Sequence, residues 1–396
     1  MIDTADLLKA APRGAGRRRV STAPEGTVLL EGWPGLGAQQ VLARQPEAII
    51  QGNVFQDAGK LRAAIRAGAR RGGMVGGGLY GWVGFDGTFC FGVFPKSETT
   101  NHAVFRSGGV PSGVPLSFVP QMTKAQFVER VRRAQEYIAA GDIYQVNLSY
   151  PWRAEWPRGL DPMAFYERLR AASPAPYAAY LDLAGTQVFS VSPECFLSMK
   201  GNKILTRPIK GTRPRSRDAA SDARLRGELL SSAKERAELT MITDLERNDL
   251  GKVCKFGSVR VTELLVPESF AQVHHLVSTV EGTLREDVDH LDAFLACFPG
   301  GSISGAPKKR ALEIIQELEP HRRGIYTGAI GCFGFDGTSH FSVAIRTAWR
   351  QGDVVQFYTG AGIVADSVPE MEHEETRHKA AGLLEAATGF DSPIRA

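Results

Sequence analysis

Gly76-Gly77-Gly78-Leu79-Tyr80-Gly81-Trp82-Val83-Gly84-Phe85-Asp86-Gly87 is the stretch on which the fold turns. Residues 76–81 fit G-x-G-x-x-G, the phosphate-binding fingerprint of a doubly wound parallel sheet, but that fingerprint must open a helix. Here the chain continues through Trp82-Val83 to Thr88-Phe89-Cys90-Phe91, β-branched and aromatic residues suited to strands. Asp86-Gly87 between two apolar runs signals a tight hairpin, since glycine takes the positive φ such turns require. The pattern then returns: Gly81-x-x-Gly84-Phe85-Asp86-Gly87-Thr88-x-x-Phe91 is echoed by Gly331-x-x-Gly334-Phe335-Asp336-Gly337-Thr338-x-x-Phe341. Two like hairpins in opposite halves of the chain point to a quasi-duplicated antiparallel sheet.

Outward from the hairpins, helices and strands alternate without a clear order. Thr123-x-x-Gln126 is a capping box, followed at helical spacing by Phe127, Val131, Ala134 and Ile138, with Gly141 as the stop. The same periodicity predicts helices over 222–246, 308–319 and 368–387, the last opened by a second box, Ser367-x-x-Glu370. Strand-like segments fall at 187–191, 196–199, 204–207, 327–333, 341–349 and 354–359, and residues 95–117 read as a surface connection. Antiparallel hairpins mixed with helices give an α+β fold, two sheets with helices outside. No linker divides the chain, so residues 1–396 are read as one unit, with an N-terminal part over 1–117 and a core over 118–388.

The 396 residues are 43% hydrophobic and 23% charged, an ordinary globular composition, and a net charge of +4 gives no argument for nucleic acid. The five cysteines (Cys90, Cys195, Cys254, Cys297, Cys332) are scattered and apolar-flanked, as in a reducing compartment. No apolar run reaches the ~20 residues of a membrane span. Arg13 and Arg17 to Arg19 are not followed by the apolar stretch of a secretory signal, so the expected location is the cytoplasm.

The chemistry centres on Lys210, in Arg207-Pro208-Ile209-Lys210-Gly211-Thr212. Lysine becomes a nucleophile when its surroundings free the amine, although most lysines are plain surface residues. The turn Lys200-Gly201-Asn202-Lys203 folds Phe196–Met199 back on Ile204–Arg207. That brings Glu194 opposite 209 or 210, as an acid or as one half of a cross-strand salt bridge. Glu235 and Glu238, and again Glu372 and Glu375, are spaced i, i+3 on helices. Paired acids of this kind either hold a hard cation such as Mg²⁺ or form a solvated face. Gly300-Gly301-Ser302-Ile303-Ser304-Gly305-Ala306-Pro307-Lys308 runs into a helix, with Pro307 in its first turn, and could offer N–H groups to an anion. Gly360-Ala361-Gly362, after the strand 354–359, could do the same. Arg346 in an apolar strand needs a carboxylate partner if buried, and His275 is either catalytic or a satisfied core histidine. Neither a zinc motif nor Walker A is present.

These segments together resemble the chorismate-utilising enzymes, strongly over about 118–388, and most closely their aminodeoxychorismate synthase branch. The resemblance rests on Asp142 to Ser149, Ser192 to Leu197, Arg207 to Thr212, Asp244 to Gly251, His275 to Ser278, Gly301 to Lys308, Gly360 to Val364 and Glu372 to Lys379. It implies that Glu235, Glu238, Glu372 and Glu375 hold Mg²⁺ against the ring carboxylate of chorismate. It places Thr212, Ser302, Tyr326, Arg346, Gly360, Ala361, Gly362 and Lys379 on the substrate, with Tyr326 and Arg346 toward the enolpyruvyl carboxylate. His275 falls beside the ring, and Glu194 is the acid that helps the C4 hydroxyl leave. Where anthranilate synthase and the isochorismate formers resemble Pro-Ile-Ala-Gly-Thr, this chain has Lys210. Lysine there implies attack of its amine at C2, then entry of ammonia at C4 with expulsion of the lysine. None of the cysteines sits in a glutaminase-type elbow, so a separate glutamine amidotransferase subunit would deliver the ammonia. Leu29-Leu30-Glu31 resembles the start of a regulatory tryptophan-pocket motif, from which Gly32-Trp33 departs. Two other readings stay open: anthranilate or 2-amino-2-deoxyisochorismate synthesis with Lys210 incidental, and a silent scaffold subunit.

Overall fold

The computed structural model describes residues 25–34, 40–71, 76–100, 113–270 and 272–389. The N-terminal arginines and most of the 95–117 connection lie outside the described residues. Two ten-stranded sheets, antiparallel at every pairing, form the centre. Along its path the first sheet runs 305–306, 145–155, 354–363, 347–351, 186–192, 177–183, 27–31, 40–44, 98–100, with 119–120 beside 145–155. The second runs 209–214, 273–283, 203–207, 195–200, 338–343, 329–334, 78–83, 88–94, 48–53, with 260–269 beside 273–283. The alternation of strand side chains gives each sheet two apolar faces. Val28, Leu30, Tyr80, Trp82, Val188 and Ile330 fill the space between the sheets. Leu148, Phe189 and Phe357 pack outward against the helices Lys124–Ala139, Pro162–Ala172, Lys308–Leu318 and Pro369–Ala387. On the far side Leu79, Phe91 and Phe341 meet Val54–Arg70, Ala233–Gly251 and His290–Cys297. The α+β expectation, two sheets with helices outside, is what the chain forms.

The repeated hairpins turn out to be neighbours. Gly78–Val83 pairs with Ala329–Gly334, and Gly81 stands directly opposite Gly331. Both positions need glycine for want of room: a Cβ would sit 2.0 Å from the Cys90 carbonyl oxygen at 81 and 1.9 Å from that of His340 at 331. Backbone cannot yield as a side-chain tip can, so Gly331→Ala is expected to lower stability by about 3 kcal/mol, read from denaturant unfolding.

The Thr123 and Gln126 side chains form the expected capping box. Three expectations about helix ends fail. The helix over 222–246 is two helices, Ala219–Ser231 and Ala233–Gly251, because Ser232 turns extended (ψ 108°) and caps the second through Glu235 N–H. Ser367 is not a cap: Val368 holds that position, and the Ser367 hydroxyl accepts from Val364 N–H and donates to Glu372 at 2.7 Å. Pro307 precedes the helix Lys308–Leu318 as its N-cap and is not in the first turn.

Candidate active site

Two segments leave one sheet for the other side by side, and a cavity of about 630 Å³ opens where they cross. Pro193-Glu194 links Thr186–Ser192 in the first sheet to Cys195–Lys200 in the second. Ala344-Ile345-Arg346 makes the return passage from Thr338–Val343 to Thr347–Gln351. Val343 N–H donates to the Glu194 carbonyl and Val191 N–H to the Arg346 carbonyl, each at 3.1 Å, and these bonds bind the two crossings together. The single strand expected over 341–349 is therefore two, broken at Arg346, whose φ of 49° no regular strand accommodates. A non-glycine residue held there stores about 1–3 kcal/mol of strain, a pattern typical of functional sites.

The turn Gly201-Asn202 pairs Lys200 with Lys203, and a bulge between Cys195 and Ser198 then shifts the register by one. Glu194 thereby reaches Ile209 N–H and the neighbourhood of Lys210, as expected. A second bulge sets Lys210 opposite Leu276 and Thr212 opposite His275, leaving Gly211 unpaired at φ +72°. A Cβ on Gly211 would press on Leu229 at 2.7 Å and Glu235 at 3.0 Å, so glycine is required twice over. Lys210 is half-buried, and its Nζ lies 3.5 Å from where a Cβ on Gly362 would be. Glu194 is fully enclosed, and burial pushes its carboxyl up to about 7 against the opposing pull of Ser302, Lys210, Ile209 N–H and Lys379. Ser302 lies beside the carboxyl without closing a hydrogen bond of normal geometry, so Glu194 Oε1 and Ser302 Oγ are both buried without such a partner among the described residues.

Glu235 and Glu238 face Glu375 across the cavity. Burial raises the Glu238 pKa, Lys210 and Lys234 oppose it, and the charges of Glu235 and Glu375 add to the rise. Burial would raise Glu375 too, but Lys379 (2.7 Å away), Lys210 and Lys234 hold it below its ordinary value. Glu372 is set behind the cavity wall, 3% exposed, and its Oε2 has no partner among the described residues. Lys234, which the sequence reading passed over, stands 3.4 Å from Glu372 and 3.9 Å from Glu238. Among the described residues no three acidic, histidine or cysteine groups already converge as a metal cage. The donor set still suits a hard divalent cation: all oxygen, mutually repelling, with one buried carboxylate oxygen unsatisfied.

The opposite end of the cavity is built for an anion. The Arg346 guanidinium has no carboxylate partner among the described residues, and burial alone depresses its pKa. Burial and then the Arg346 charge push His275 down to about 4, so its imidazole is neutral, with Nδ1 3.0 Å from Thr212 Oγ1. Tyr326 is stacked on Tyr358, ring centroids 5.4 Å apart, in the cavity wall. Gly360-Ala361-Gly362 is not a loop after a strand; all three lie inside Val354–Ile363, opposite Ser149, Leu148 and Asn147. Strand Thr347–Gln351 stops pairing at Phe357, which leaves the far edge of 358–363 open. Ser149 N–H goes to Glu319 and Asn147 N–H to the Ser304 carbonyl, so Gly360 and Gly362 turn their backbone groups toward the cavity. The Gly360 carbonyl already accepts from Lys379 at 3.0 Å, while Ala361 faces away.

Buried arginine supports this edge. Arg323, 3% exposed, pairs with Glu319 at 2.7 Å and donates to the carbonyls of Asn147 (2.7 Å) and Ile303 (3.0 Å). Lys308 is spent on Asp249 and the Cys297 and Pro299 carbonyls, so it leaves no charge for an anion at that helix start. Glu31 is buried among Gln40, Tyr166 and Arg170 (3.0 Å), held by the protein itself.

The sequence profile of chorismate binding enzymes matches residues 106–385. The chain belongs to that family. Anthranilate synthase component 1 of Thermus thermophilus is 48% identical over 281 residues, 70% of this chain and 60% of the relative. Aminodeoxychorismate synthase component 1 of Bacillus subtilis is 45% identical over 270 residues, 68% and 57% of the two. This member of the family thus spans between half and two thirds of those curated relatives. Among solved structures, anthranilate synthase component I from Streptococcus pneumoniae superposes with a TM-score of 0.74 at 28% identity, over 94% of this chain and 95% of that one. The menaquinone-specific isochorismate synthase of Escherichia coli shares the fold, with a TM-score of 0.73 at 18% identity over 93% and 90%. No helix among the described residues is long and apolar enough to cross a membrane.

Proposed function

We propose that the chain aminates chorismate at C4, giving 4-amino-4-deoxychorismate, with ammonia from a separate glutamine amidotransferase subunit. The reading rests on Lys210: a primary amine in the cavity wall, across from an enclosed carboxyl at about 7, where a water-using enzyme would keep the space open. The Lys210 amine attacks C2, the two ring double bonds shift, and the C4 hydroxyl leaves with the Glu194 proton as water. Ammonia then bonds to C4, the double bonds shift back, and the C2–N bond breaks to free Lys210. The ammonium formed at C4 has the Glu194 carboxylate as proton acceptor. An amine already held at attacking distance excludes smaller nucleophiles from C2.

The remaining residues orient the substrate. Arg346 and Tyr326 take the enolpyruvyl carboxylate, the inward backbone of Gly360 and Gly362 with Lys379 takes the ring end, and neutral His275 and Thr212 line the ring. Glu235, Glu238, Glu372 and Glu375 would hold Mg²⁺, which when bound supplies charge neutralisation and a clamp for the ring carboxylate. Arg346→Leu removes a charge-assisted contact of about 1.5–3 kcal/mol, so the chorismate Kd should rise about 10- to 100-fold in calorimetry. Because that guanidinium has no carboxylate partner to orphan among the described residues, the thermal midpoint should hold or rise.

Anthranilate formation is the second reading, favoured by relatives of that name at comparable identity. Mass spectrometry of chorismate incubated with the protein, Mg²⁺ and ammonium at mildly alkaline pH, with and without chelator, separates the two. A 4-amino product that keeps its enolpyruvyl group supports the proposal; anthranilate with pyruvate overturns it.

A further inference from the structure

Beside Lys210 the structure buries two carboxamide oxygens that no group among the described residues satisfies. Gln145 is 1% exposed and Asn147 9%, yet Gln145 Oε1 and Asn147 Oδ1 have no hydrogen-bond partner among the described residues. Both belong to the strand Gln145–Glu155, two residues apart, so both side chains leave the same face. Their backbone is fixed from either side: Gly305-Ala306 pairs with Val146 and Gln145, and Gly362-Ile363 with Asn147 and Val146. The glycines opposite make the space into which the amides project. A Cβ on Gly362 would stand 2.5 Å from Gln145 Nε2 and 3.5 Å from Lys210 Nζ, and one on Gly360 would stand 2.9 Å from Asn147 Oδ1. Gln145 Nε2 and Lys210 Nζ thus both approach Gly362 while Asn147 Oδ1 approaches Gly360, which sets the two amides and the lysine beside one another at the wall of the cavity that Asn147 lines.

An unsatisfied buried carbonyl oxygen destabilises a protein, whereas an apolar side chain of like shape would not. Two of them in register argue for a ligand that brings donors. The ligand must be small, since Cβ atoms on Gly362 and Gly360 would already meet the amides at 2.5 and 2.9 Å. It must offer at least two N–H or O–H groups, since the two oxygens it meets are hydrogen-bond acceptors.

We infer that Asn147 and Gln145 form the ammonia-binding subsite, their carboxamide oxygens accepting N–H bonds and leaving the nitrogen lone pair free. This inference rests on the C4-amination reading and deepens it. C2 and C4 both adjoin C3 of the ring, so the incoming nitrogen must approach close to the lysine nitrogen that has just bonded at C2. Ammonia held by two acceptors meets that requirement, and it carries no proton that must be lost before the C4–N bond forms. Asn147 and Gln145 are positioning residues in this account, acting on the second nucleophile and not on chorismate.

The test is steady-state kinetics with ammonium chloride as the nitrogen source, for Asn147→Leu, Asn147→Ser and Gln145→Met, each checked by circular dichroism and thermal melting. The expected result is a tenfold or greater rise in KM for ammonium in Asn147→Leu and Gln145→Met, with the chorismate KM moving less than twofold. Asn147→Ser, whose hydroxyl restores an acceptor, should recover part of the ammonium KM. Thermal midpoints of the apolar variants should hold or rise, since an orphaned polar atom has been removed. A rise in chorismate KM with unchanged ammonium KM would overturn the subsite, as would a fall in midpoint showing that the amides are structural. Product identity in the same reactions keeps the two claims apart. Anthranilate from the unsubstituted protein would sink C4 amination, while an ammonium-specific KM shift would still locate the ammonia.

Discussion

Lys210→Ala is expected to lower 4-amino product formation about a thousandfold, roughly 4 kcal/mol of transition-state stabilisation, while chorismate still binds. The size follows from what the amine does: it is the atom that bonds to C2, so removing it removes the reaction path, not one contact among many. Little structural damage should accompany the loss. Lys210 forms no ion pair within 4.0 Å among the described residues, and its strand is held by pairing to Val273–Thr283. Water or ammonia could then reach C2, and traces of a C2-substituted product are the expected residue of activity. Paired measurement of kcat by product mass spectrometry and of chorismate Kd by calorimetry checks this. An unchanged kcat would mean the lysine is incidental.

Glu194→Gln should lower kcat by about 10²–10⁴-fold, the usual contribution of a positioned general acid. Its diagnostic is the pH profile. The carboxyl is the working acid only while protonated, and burial sets it at about 7. In the unsubstituted protein the kcat limb governed by this group is therefore full below pH 7 and falls as pH rises through it. The glutamine variant cannot ionise, so the same limb should vanish from what activity remains. His275, pushed down to about 4 by burial and Arg346, stays neutral throughout this range and contributes no limb of its own.

Local chemistry was legible in the sequence where one residue type forces one geometry. Asp86-Gly87 and Asp336-Gly337 gave the hairpins, Thr123 and Gln126 the helix start, and the Gly201-Asn202 turn brought Glu194 to Lys210. What escaped was long-range. Phe341 to Trp349 is mostly apolar, and nothing in its period marks the residue at which the chain changes sheets; only the burial of both faces, set by distant strands, decides that. Arg346 stands out in that run, but its place is a crossing and not a strand. Likewise Ala219 to Gly251 keeps helical periodicity across Ser232, whose hydroxyl caps the second helix and ends the first. The glycines of Gly360 to Gly362 suggest a loop. They instead clear an open strand edge and the space beside Lys210. Asn147 sat inside a quoted segment without a role, because an unsatisfied buried oxygen is visible only when all its neighbours are placed.

The most direct measurement is the intact mass of the protein after incubation with chorismate and Mg²⁺ in the absence of ammonia, followed by peptide mapping. The expected result is an adduct of one chorismate less one water, on Lys210, that disappears when ammonium is added and is never formed by Lys210→Ala. An unmodified protein that nonetheless makes the 4-amino product, or an adduct on another residue, would contradict it.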